Sequence, residues 1–196
     1  MRKAIWISVL VLGCTAMGQA QMGGMKMDAP AVGTPADPAK DIDGMLKLFE
    51  GEFMGAAKAM PADKYDFAPK TSMIAGSKYD GVRTFAAQIT HVIQANYAFY
   101  SRVGGLKPDL DMKAIEGMTK KDEIVAALAS SFAFAHKAIA TITAANAFVT
   151  IKGADGMNTR TSLATFGVAH GYDHYGQLVE YLRMNGIIPP ASTGGM

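Results

Sequence analysis

The chain has 196 residues, with 19 basic against 17 acidic side chains, one Cys and four His. That length suits one domain with a sizeable core, and a lone Cys excludes an intrachain disulfide framework and every multi-cysteine zinc site. The formal charge of +2 traces to the first segment. Residues 1–20 (MRKAIWISVLVLGCTAMGQA) run from Arg2 and Lys3 through an apolar stretch, Ala4 to Leu12, to small residues ending at Ala20. This is the order of a secretory signal peptide, and the apolar run is shorter than the roughly 20 residues a bilayer span needs. Its removal leaves 176 residues with 17 basic and 17 acidic side chains, and takes away the only Trp (Trp6) and Cys14. A neutral chain without a basic stripe excludes nucleic acid as an expected partner.

Two other readings of the leader stay open. Val11-Leu12-Gly13-Cys14 resembles the lipobox of bacterial lipoproteins, with Leu12 where a small residue is usual, so Cys14 is the alternative lipid anchor; the third reading is a retained N-terminal anchor. All three put the folded part outside the cytoplasm, periplasmic or secreted. Residues 21–40 hold three Met, three Gly and three Pro with no apolar period. They read as a disordered linker; Met22, Met25 and Met27 carry the thioethers that Cu(I) prefers, but without His or Cys beside them.

The bundle is expected over 41–191, followed by a flexible tail at 192–196. From Asp41 to Met60 the residues Ile42, Met45, Leu46, Phe49, Phe53, Met54 and Ala57 recur at three and four, the period of an amphipathic helix. Pro61 closes it. A long irregular connection follows to Lys78, and a second helix runs from about Val82 to Val103 before Gly104-Gly105. Thr119 with Asp122 approximates a capping box for a third helix, whose stripe of Ile124, Leu128, Phe132, Ala135, Ile139 and Ile142 reaches about Ala145. Phe148 to Ile151 has strand character but no evident partner, and Gly153 to Asn158 reads as a turn. The last helix starts near Thr161 or Ser162 and ends at about Met184, where Asn185-Gly186 and Pro189-Pro190 stop it. Four long amphipathic helices predict an all-α four-helix bundle.

The histidines carry the chemistry. His170 and His174 lie four apart, one turn along one helix face, and that face also holds Leu163, Phe166, Leu178 and Leu182. Inward imidazoles are either metal ligands, suited to Zn, Ni or Fe, or core histidines with hydrogen-bond partners. Gly171 stands where the HExxH of zincins would need Glu. His91, mid-helix in QITHVIQANY beside Ala87, Gln88 and Ala95, small or polar neighbours that leave room for a site, would supply a third ligand from another helix. Three histidines with an open position form a site of catalytic type. His136 sits at the border of its helix's apolar stripe, as a substrate contact, alternative ligand or plain helix-face histidine. Gln177 and Tyr181 share the side of His174 and are candidates to orient a ligand or line a substrate pocket, with core packing as the competing explanation. Asp173 lies about 100° round the helix from His174 and is expected to cap or pair with another segment.

The last helix, from His170-Gly-Tyr-Asp-His174 through Gly-Gln177-Leu to Tyr181-Leu-Arg and Gly186-Ile-Ile-Pro-Pro, resembles that of the DinB/YfiT-like superfamily. Met60-Pro through Tyr65 to Pro69, then Arg83-Thr-Phe85 and His91, resemble that family's first loop and second helix. The resemblance covers about Ile42 to Pro190. It implies a four-helix bundle whose divalent metal, zinc or nickel, is held by His91, His170 and His174. Some relatives are thiol-dependent transferases or isomerases that use cytoplasmic low-molecular-weight thiols, a pool that an exported chain would not ordinarily meet. Three functions remain in competition: a metal-dependent hydrolase or thiol-dependent transferase of a small molecule, a non-catalytic metal- or ligand-binding or stress-related bundle, and a structural bundle with vestigial histidines. Met- and Tyr-rich stretches are compatible with a homodimer face, and core packing explains them equally.

Overall fold

Asp37 and Pro38 begin the first helix. Asp37 Oδ1 accepts from the N–H groups of Ala39 (2.9 Å) and Lys40 (3.4 Å), and Pro38 takes the first turn, where its missing N–H leaves no bond unmade. Helix α1 therefore spans Pro38–Ala59 and absorbs the last three residues expected to be linker. The computed structural model describes residues 31–193. The leader with Cys14, the methionines Met22, Met25 and Met27, and the last three residues of the expected tail lie outside them. Ile42, Leu46, Phe49, Phe53, Ala56 and Ala57 of α1 are buried, while Met45, expected on the inner stripe, faces outward. Lys121 from a later helix donates its Nζ to the carbonyls of Lys58 and Met60, both at 2.8 Å, and so caps the end of α1.

Helix α2 spans Phe85–Gly104; the Thr84 side chain accepts from Ala87 N–H at its start, and Gly105, at φ 66°, ends it. A short helix α3, Met112–Glu116, was not foreseen; Asp111 caps it by accepting from Lys113 N–H. Helix α4 spans Lys121–Ile139. The expected Thr119/Asp122 capping box does not form: Lys120 holds the N-cap position without a side-chain bond, and Asp122 and Glu123 fall in the first turn, where they favour the positive end of the helix dipole. The helix also stops before the expected Ala145. Asn146 accepts from Thr143 N–H (2.8 Å) and donates to Thr141 carbonyl (3.0 Å), local bonding that competes with a helix.

The unpaired strand is the clearest correction. Strand β1 (Thr150–Ala154) pairs antiparallel with β2 (Met157–Thr159). Between them Asp155 and Gly156 have φ 50° and 81°, the two positive values that a tight hairpin turn requires and that Asp-Gly supplies. Helix α5, Arg160–Met184, follows at once, with a reciprocal cap between Thr159 and Ser162. Gly186, at φ 74°, turns the chain away.

Helices α1 and α2 each pack on both α4 and α5, which makes the four main interfaces of an all-α bundle. Helices α1 and α2, joined by the long connection 60–84, do not form one of these interfaces, whereas α2 and α4, joined through α3, do. The core runs through Leu46, Phe49, Phe53, Phe85, Ile89, Tyr97, Tyr100, Phe132, Leu163, Leu178 and Leu182, all buried. Two glycines of α5 let neighbours touch its backbone: a Cβ on Gly167 would meet the Tyr100 hydroxyl at 2.8 Å, and one on Gly171 would meet the Phe49 ring at 2.1 Å. Both contacts fix α5 in height and rotation, and so fix where His170 and His174 point. No helix among the described residues is long and apolar enough to cross a membrane.

Candidate metal centre

Helix α2 brings His91, and α5 brings His170 and His174, to one place. Each residue offers one ligand atom, and these atoms lie within 4.8 Å of one another. His91 Nε2 and His170 Nε2 are 3.2 Å apart. Ring centroids are 4.7 Å apart for His91–His174 and His170–His174, and 5.1 Å for His91–His170. His174 is buried at 5% exposure, and the other two are half-buried.

All three imidazoles are pushed toward the neutral form. Burial lowers His174 to about 4, with help from the neighbouring rings and Arg83 against the opposing charge of Asp173. Burial likewise lowers His91, aided by Arg83 and His170. It lowers His170 too, although Asp173 and Asp155 pull the other way. Neutral imidazole is the metal-binding form. Two nitrogens each about 2.0–2.1 Å from zinc, at a tetrahedral angle, stand roughly 3.3–3.4 Å apart; the spacing of His91 and His170 fits that requirement. Lone pairs so close repel unless a proton or cation lies between them. The donor set and its burial therefore form a cluster able to coordinate a divalent ion.

The polar residues around the cluster are only partly those expected from sequence. Gln177 is joined to His174 through Gln88: Gln88 Nε2 donates to Gln177 Oε1 at 2.6 Å, and Gln88 Oε1 meets His174 Nδ1 at 2.6 Å. Gln88 is buried at 1% exposure, and the sequence marks it only as a polar neighbour of His91. The signal was its position three before His91, on the same helix face. Asp173 accepts from Gln177 Nε2 at 3.3 Å, within its own helix and not from another segment. Tyr181 spends its hydroxyl on the Arg83 carbonyl (3.0 Å) and packs edge-on against Phe67. Phe99 stands edge-on to His170, with centroids 5.5 Å apart, and Phe166 lies beside it.

His136 is not brought to this cluster. Its Nδ1 bonds Asp43 and its Nε2 bonds Glu50 at 2.9 Å, both on α1, while Lys47 holds the other Asp43 oxygen at 2.7 Å. Burial opposes a charge on His136, but the hydrogen bonds and charges of Glu50 and Asp43 outweigh it and raise the pKa. Both ring nitrogens are engaged, so His136 is a clamp between α1 and α4.

A family model described as the DinB superfamily matches residues 45–178, which spans the four long helices' core and all three clustered histidines. No curated protein matches the chain.

Proposed function

We propose that this chain, which belongs to the DinB superfamily, binds zinc or nickel through His91, His170 and His174 and acts on or captures a small molecule outside the cytoplasm. The observation that carries the reading is the convergence of three imidazoles whose ligand atoms lie within 4.8 Å of one another. Three protein ligands leave a tetrahedral ion one open position, the pattern of catalytic rather than structural zinc. A bound divalent ion would supply Lewis acidity and lower the pKa of a water or thiol it holds. Hydrolysis, or transfer to a thiol, of a small substrate is the chemistry that follows. Phe99 and Phe166 beside His170 favour a ligand with an apolar portion.

Export rests on Arg2, Lys3, the apolar run and Ala20. Mass analysis of protein from the native compartment would give a chain starting at Gln21. A lipidated chain starting at Cys14 would replace that reading with the lipoprotein.

Metal analysis of protein purified without a histidine tag tests the site. One equivalent per chain is expected in the wild type and little in folded His170→Ala and His174→Ala variants. Full occupancy in both variants would remove the proposal. One tightly held metal whose coordination sphere is closed, without an exchangeable position, would favour the non-catalytic bundle.

A further inference from the structure

The three clustered histidines differ in what holds their second ring nitrogen. Among the described residues, only His174 has a protein partner there: its Nδ1 meets Gln88 Oε1. The two ends of an amide are alike in shape and opposite in polarity. What decides the direction of such a contact is therefore the rest of the hydrogen-bond chain.

That chain ends on acceptors. Gln177 Nε2 faces the Asp173 carboxylate at 3.3 Å and the Asp173 main-chain carbonyl at 3.5 Å, and neither a carboxylate nor a carbonyl can donate. Gln177 must then turn its NH2 toward Asp173, which leaves its Oε1 for Gln88. Gln88 must turn its own NH2 toward Gln177, which leaves its Oε1 for His174. An oxygen at Nδ1 requires the proton there. The lone pair of neutral His174 is then on Nε2, the ring nitrogen left for the cluster. Gln88 is too deeply buried to satisfy itself with water instead, and an unpaired amide there would cost a hydrogen bond.

We propose that Asp173, Gln177 and Gln88 form a directional relay that holds His174 in the Nδ1–H tautomer, so that its Nε2 lone pair is presented before any metal arrives. These are positioning residues, and their purpose rests on the reading of the cluster as a metal site. The helix supplies the parts cheaply: Asp173 and Gln177 lie one turn apart on α5, and Gln88 faces them from α2.

Gln177 is half-buried and can be exchanged without opening the core. Gln177→Glu still offers an acceptor to Gln88. Gln177→Lys offers only donors, so Gln88 must turn its oxygen outward and its NH2 to His174, which forces the proton to Nε2. Gln177→Leu removes the anchor without adding charge. The readout is the two-bond 1H–15N correlation pattern of the His174 ring in 15N-labelled, metal-free protein, with thermal unfolding as the check on folding. The relay predicts Nδ1–H in the wild type and Gln177→Glu, a mixture in Gln177→Leu, and Nε2–H in Gln177→Lys. Zinc affinity, measured by chelator competition, should stay near wild type in Gln177→Glu and fall about tenfold or more in Gln177→Lys. An Nε2–H ring in the wild type would overturn the relay. So would an unchanged Nδ1–H ring in folded Gln177→Lys; should that variant not fold, an unchanged ring in Gln177→Leu is equally decisive. Failure of the metal reading looks different: the wild type would bind no zinc while the tautomer series still upheld the relay.

Discussion

Histidines in this chain are pushed in opposite directions by their surroundings. His91, His170 and His174 crowd one another and are pushed toward the neutral form by burial, whereas Glu50 and Asp43 push His136 toward the charged form. A pKa raised above 6.5 by folding contributes stability that is fully present below 6.5 and is lost as pH rises through the folded value. The His136 clamp should therefore add on the order of 0.5–1 kcal/mol at about pH 5.5 and much less at about pH 8.5, given its partial exposure. The three clustered histidines act with the opposite sign: their lowered values withdraw stability as pH falls below 6.5. Comparison with His136→Gln cancels that contribution. In urea unfolding the variant's deficit should be larger at the lower pH; an equal deficit at both would contradict the clamp. Asp43 and Glu50 lie two turns apart on the outer flank of α1, and the sequence alone gives no means of telling which helix presents a charge to that flank. For that reason the sequence leaves His136 open as a possible site residue, and only the packing of α4 on α1 assigns its partners.

At the scale of elements, α5 is positioned by what it lacks. Gly171, between the two clustered histidines of α5, takes the Phe49 ring where a side chain would be. Phe49 is itself hemmed in by Phe53, Phe132 and Tyr172, so it cannot retreat. Gly171→Ala should destabilise the protein by about 1–3 kcal/mol, and Phe49→Leu in the same chain should recover part of the loss, as measured by chemical denaturation. A Gly171→Ala protein as stable as wild type would show that the ring has room. The hairpin offers a second test. Gly156, at φ 81°, should not tolerate a side chain, and Gly156→Val should cost about 1–2 kcal/mol; an unchanged denaturation midpoint would mean that this turn is not held as described. These elements also mark how far the sequence could be read. Four helices followed from apolar periods that burial enforces, and His170 with His174 followed from a one-turn spacing. The Asp-Gly hairpin was legible in principle: its partner strand is only three residues long, too short for an alternating pattern, and the turn chemistry was the signal that mattered. The start of α1 was masked because Asp37-Pro38 closes a Pro-rich stretch whose composition resembles a linker. The direction of the Gln88 and Gln177 amides depends on contacts between α2 and α5, which no single-helix pattern contains.

For the whole molecule, the cluster joins α2 to α5 across one of the four main interfaces of the bundle. An ion held there would tie the two helices together in the folded state only. Zinc at about 100 times its Kd should therefore stabilise the protein by about 2.7 kcal/mol, seen as a rise in thermal midpoint that His174→Ala abolishes; a midpoint indifferent to zinc would oppose a metal-binding role. A metal site here requires His91, from a helix distant in sequence, to complete what His170 and His174 begin. X-ray absorption at the zinc edge of the loaded, untagged protein tests it most directly. Three imidazole nitrogens at about 2.0–2.1 Å and at least one further light ligand are expected, with one imidazole fewer in His91→Ala. Two imidazoles in the wild type, or an unchanged spectrum in His91→Ala, would contradict it.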